Sequence, residues 1–158
     1  MMTFKRSKSV YWQVAMLALV VNATAGLAAC ATLMTMTGHG AKRPAASEFG
    51  LGPRTSAQGS FIATLETDGE LRVRRMQTVR VVVRDGSGHA VDGAALRIAG
   101  GMPQHGHGLP TRPRVTRNLG NGAYEIEGVR FNMGGWWEFK VVIETPAGAD
   151  TITFNLDL

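Results

Sequence analysis

Trp136-Trp137-Glu138-Phe139-Lys140-Val141-Val142-Ile143-Glu144 is the stretch that decides the fold. Trp137, Phe139, Val141 and Ile143 recur at every second position, with Trp136, Glu138, Lys140 and Glu144 between them. A period of two places alternate side chains on opposite faces of an extended chain, so this is a strand with one face in a core and one toward water. The same period runs outward in both directions. Downstream, Ile152, Phe154, Leu156 and Leu158 alternate with Thr151, Thr153, Asn155 and Asp157. Upstream, Tyr124 and Ile126 alternate with Glu125 and Glu127, and a shorter strand is expected around Val115. Leu96 and Ile98 flank Arg97, while Val79, Val81 and Val83 alternate with Arg80 and Arg84. Leu71 and Val73 interleave with Arg72 and Arg74, and Phe61, Ala63 and Leu65 with Ile62, Thr64 and Glu66. Turn sequences such as Asp85-Gly86-Ser87-Gly88 and Gly120-Asn121-Gly122 separate the runs. About seven half-apolar strands with no helical period among them predict an all-β, immunoglobulin-like antiparallel sandwich.

The first thirty residues follow another logic. Lys5, Arg6 and Lys8 precede an apolar run from Val10 to Val21, and Leu27-Ala28-Ala29-Cys30 closes it. This is the layout of a secretory signal, expected to be helical, and its end resembles the lipobox of bacterial lipoproteins. Residues 1–29 are therefore expected to be the signal, and Cys30, the only cysteine, the site of lipidation. The alternative is an uncleaved membrane anchor, which Asn22, Thr24 and Gly26 weaken. Either way the rest of the chain is expected at the periplasmic face of a membrane. Ala31 after the cysteine resembles the sorting pattern for the outer membrane.

Removing the signal takes away three basic residues and no acidic one, which lowers the net charge from +5 to +2. That balance is no nucleic-acid footprint. Lipidation of Cys30 would leave the mature domain without a thiol, so any metal site must be built from other ligands. Residues 30–58, mostly Ala, Thr, Gly, Pro and Ser, are expected to be a flexible tether spanning roughly 30 Å. Residues 59–158 form the expected domain.

One segment breaks the strand pattern. Gly100-Gly101-Met102-Pro103-Gln104-His105-Gly106-His107-Gly108-Leu109-Pro110-Thr111-Arg112-Pro113 reads as a long shaped loop, and it carries two of the four histidines. In an extended backbone His105 and His107 would project to one side around Gly106. Met102 adds a thioether, and Met133 enters the strongest strand beside Gly134 and Gly135. Imidazole with thioether favours copper over hard cations, and zinc rarely recruits methionine. Strict alternation leaves Trp136 on the polar face, to be covered or exposed, so Trp136 and Gln104 are the candidate ligand-contacting residues. The bland alternative is a crossover shaped by glycine and proline, with the histidines bonded to backbone and the methionines as packing.

Val83-Arg84-Asp85-Gly86, Gly93-Ala94, Gly101-Met102-Pro103 with His105 and His107, Gly122-Ala123-Tyr124-Glu125-Ile126, and Met133-Gly134-Gly135-Trp136-Trp137 together resemble the YtkA-like domain family. FixH-like relatives share this layout. The resemblance implies an exported or anchored immunoglobulin-like sandwich, with several relatives linked to copper handling. Carried over residue by residue, it points to Met102, His105, His107 and Met133 as metal ligands and to copper as the cofactor. The implied partners are the membrane, through the lipid anchor, and an envelope protein that donates or receives metal. The competing expectation is an accessory module that binds a protein or small ligand without metal. No nucleophile elbow, phosphate loop or close carboxylate pair argues for an enzyme.

Overall fold

The computed structural model describes residues 40–158, so the signal and Cys30 lie outside the described residues. A short 3-10 turn at Ala46–Glu48 precedes nine strands. They are β1 (Arg54–Thr55), β2 (Phe61–Glu66), β3 (Met76–Asp85), β4 (Ala95–Met102), β5 (His107–Gly108), β6 (Arg114–Gly120), β7 (Ala123–Arg130), β8 (Trp136–Thr145) and β9 (Gly148–Asp157). One sheet has the order β1-β2-β3-β7-β6 and the other β5-β4-β8-β9, with every ladder antiparallel. Without the two-residue strands β1 and β5, seven remain, in the orders β2-β3-β7-β6 and β4-β8-β9. That is the connectivity of a constant-type immunoglobulin sandwich, so the expected fold class holds.

The apolar half of each alternation builds the core. Val81 and Val83 of β3, Ile126 of β7, Phe139, Val141 and Ile143 of β8, and Ile152 and Phe154 of β9 are fully buried between the sheets. Each such side chain contributes roughly 1.5–3 kcal/mol by leaving water. Trp137 sits where β8 enters the core and meets Phe131 edge to face, ring centroids 5.2 Å apart. With no cysteine among the described residues, packing of this kind replaces the disulfide common in such sandwiches.

Two expectations are corrected. Leu71 to Arg74 is not a strand: only Val73 forms a bridge, parallel to Phe131, and Arg74 has the left-handed φ of 62°. The Gln77 side chain acts as a false strand for this turn. Its Oε1 accepts the Arg72 N–H at 2.7 Å and its Nε2 donates to the Arg72 carbonyl at 2.9 Å. The later part of the expected tether is also folded onto the domain. Phe49 bridges Asn155, the Gly50 N–H donates to the Asn155 carbonyl at 2.9 Å, and β1 pairs with β2. Gly52, with φ 117°, passes so close that a Cβ there would lie 3.0 Å from the Ala63 carbonyl oxygen. The segment is held by backbone bonds, which leave no apolar period to read.

Asp150 pins this segment down. Its buried carboxylate accepts the Gln58 N–H on both oxygens at 3.1 Å and the Ser60 N–H at 3.3 Å. Burial alone would push its pKa up. Hydrogen bonds from the Ser56 hydroxyl and from the Thr151, Gln58 and Ser60 amides outweigh that and bring it down to about 2.

Candidate functional site

The end of the sandwich where β4 and β7 finish and β8 begins gathers the sequence's unusual residues. The expected long loop is instead a hairpin. β4 runs through Met102, a turn covers residues 103–106, and β5 returns with Met102 paired to His107 and Gly101 to Gly108. The His105 N–H closes the turn on the Met102 carbonyl at 3.0 Å. Pro103 supplies its fixed φ at the second turn position, and Gly106 takes the left-handed φ of 65° that a bulky residue resists. Gly100 and Gly101 let neighbouring strands close in. A Cβ on Gly100 would collide with the Glu138 carbonyl, and one on Gly101 with the His107 carbonyl.

His105 and His107 are therefore not successive same-side residues of an extended chain. One belongs to the turn and the other to β5. They come together nonetheless: their rings lie nearly parallel, 10° between planes, with centroids 6.2 Å apart. Both side chains are exposed. An imidazole lone pair lies in its ring plane, so two stacked rings would share one ion only after one of these exposed side chains turns to another rotamer.

Met102 and His107 form a cross-strand pair and so project from the same face of their sheet, where paired Cβ atoms sit about 4.5–5.5 Å apart. The Met102 side chain is nevertheless a core residue, 2 % exposed, with its Cε packed against Gly135. Met133 lies in the adjoining connection between β7 and β8 and is 38 % exposed. Its carbonyl accepts the Trp137 indole N–H at 3.0 Å, which fixes that connection. The structure thus brings His105, His107 and Met102 into one hairpin and sets Met133 on the neighbouring loop. Among the described residues no three His, Cys, Asp or Glu side chains converge as for a metal ion.

Trp136 and Gln104 fare differently. Gln104 is exposed at the tip of the turn. Trp136 is 3 % exposed, and its indole N–H is taken by Asn155 Oδ1 at 2.9 Å. Asn155 Nδ2 in turn donates to the Glu48 carbonyl at 3.3 Å. The Asn155 partnership, and not the histidine loop, satisfies this tryptophan, so it offers no indole N–H to a ligand. Sequence reasoning also passed over Met76, which is 62 % exposed and pairs with Arg130, one residue before Phe131. Its place at the start of the valine alternation was the only available signal.

A constant-type immunoglobulin sandwich that carries His105, His107 and the exposed Met76 and Met133 at one end is the class these observations define. Within it, the chain belongs to the YtkA-like family, whose pattern matches residues 57–142. That span includes the hairpin and the Met133–Trp137 segment. No curated protein and no solved structure matches the chain.

Proposed function

We propose that this chain is an envelope-anchored lipoprotein, lipidated at Cys30, that binds copper and passes it to or from a partner protein at the membrane surface. The observation that carries the reading is the closeness of two exposed imidazoles on one hairpin, His105 and His107, with ring centroids 6.2 Å apart. They would hold the ion, with Met102 or Met133 supplying a thioether that copper accepts and hard cations do not. Exposure of both imidazoles suits exchange between proteins, since the ion remains reachable from outside. On this reading the protein is a binding module and not an enzyme.

Titrating the purified full chain with Cu(I) against a competing chelator tests it. One ion per chain is expected, with affinity falling about tenfold or more in His105→Ala/His107→Ala, because outer-shell groups alone are worth about 10–100-fold at metal sites. Equal affinity in that double variant overturns the proposal.

A second reading is a metal-independent accessory module. The exposed Met76 and Met133 at the same end of the sandwich favour it, since adaptable methionine surfaces suit partner recognition. A partner that stays bound to the chain in excess chelator would select this reading.

A further inference from the structure

β9 packs against β1 and β2 along one flank of the sandwich, and β4 meets β6, the other last long strand, along the opposite one. Among the described residues the second flank is closed by β4 and β6 alone, without a strand like β1 laid across it. Val141 and Ile143 on the inner face of β8 are fully buried, yet Ile98 and Leu96, their partners on β4, are only half-buried, as are Leu109 and Val115. A groove of about 520 Å³ runs along this flank, lined by Leu96, Ile98, Leu109, Arg97, Arg112 and Arg114 among others.

The backbone of β4 is unpaired here as well. β5 covers only Gly101 and Met102, and the Gly100 carbonyl accepts the Leu109 N–H at 3.2 Å on that same side. By strand alternation the N–H and C=O groups of Leu96 and Ile98 point the same way. No backbone partner meets them among the described residues. Just before the facing strand β6 stands Pro113, which has no N–H to offer. β4 is thus the template of the two.

The groove's charges are of one sign. Arg97 is paired with Glu144, but Arg112 and Arg114 are exposed and without an ion pair among the described residues, and no carboxylate lines the groove. Two copies joined through this edge would bring these arginines together. We propose that the β4 edge is a docking strand for an extended, acidic segment of a partner protein, which adds to the β4 sheet, covers Leu96 and Ile98 with its apolar side chains, and pairs its carboxylates with Arg112 and Arg114. Main-chain pairing would supply affinity, while the arginines select the partner and exclude self-pairing.

The test uses the purified full chain and a fluorescent peptide of about eight residues alternating valine and glutamate, a usual strand length. The controls are the valine–lysine counterpart and a version N-methylated at alternate amides. Binding of the acidic peptide alone is expected, weakened about tenfold or more when ionic strength rises from about 0.01 M to about 1 M, which cuts the screening length from about 30 Å to about 3 Å. A similar loss is expected in Arg112→Ser/Arg114→Ser, whose unchanged tryptophan emission would show that it folds. Hydrogen exchange at the Leu96 and Ile98 amides should slow on binding. No binding, equal binding of the lysine or N-methylated peptide, or unchanged exchange at those amides overturns the proposal. Peptide-free dimerisation that protects the same amides does so too, in favour of a second copy of this chain.

Discussion

The Cε of Met102 lies 3.1 Å from the point where a Cβ on Gly135 would sit. The bare backbone at Gly135, with φ 120°, is what lets the Met102 side chain fold into the core end beneath the His105–His107 hairpin. Gly135→Ala must displace that side chain and hold an L-residue in backbone that disfavours one. Destabilisation of about 1–3 kcal/mol is expected, readable as a lower urea midpoint with unchanged slope.

Met102 is both a packed core residue and the cross-strand partner of His107, and one substitution separates the two roles. Met102→Leu conserves volume and should cost less than about 1.5 kcal/mol of stability. It removes the only sulfur in the hairpin. Cu(I) affinity should therefore fall while the unfolding midpoint barely moves. Unchanged affinity would make Met102 a packing residue alone and leave Met133 as the thioether donor.

Asp150 gives the fold a pH dependence of defined sign. Its folded pKa, about 2, lies below the ordinary 3.8, so between those values the unfolded chain binds more protons than the folded one. The stabilisation is whole above about pH 4 and is lost as pH falls toward 2. Asp150→Asn should flatten the slope of stability against pH in that window. Asp150→Ala strands the Gln58 and Ser60 amides and should cost about 1–3 kcal/mol at neutral pH. Urea titrations across the acid range check both.

How much of this was legible depended on whether side chains or backbone carried the signal. β8 and β9 were plain because each apolar position of the alternation is buried. Leu71 and Val73 imitate that alternation, but a left-handed Arg74 and the Gln77 amide turn the chain instead, and neither is visible in a periodicity. Residues 49–55 bond through their backbone, so their composition suggested a tether. At the site, the kinship of His105 and His107 was readable but its cause was not. Spacing alone suggested an extended loop, whereas a turn built on Pro103 and Gly106 brings the rings together.

Trp136 illustrates what strict alternation hides. It falls on the polar face with Glu138 and Lys140, yet it is buried there because Asn155 takes its N–H and ties it to the Glu48 carbonyl. Trp136→Phe keeps most of the apolar contact and leaves Asn155 Oδ1 without its donor, so a loss of about 1–3 kcal/mol is expected. Copper binding should be unaffected by the same change. Copper added to the Trp136→Phe protein should still change the emission of Trp137, whose indole is bonded to the Met133 carbonyl. Loss of copper affinity in a folded Trp136→Phe protein would instead return Trp136 to the site, because only a ligand-contacting role couples this outer-face indole to the hairpin.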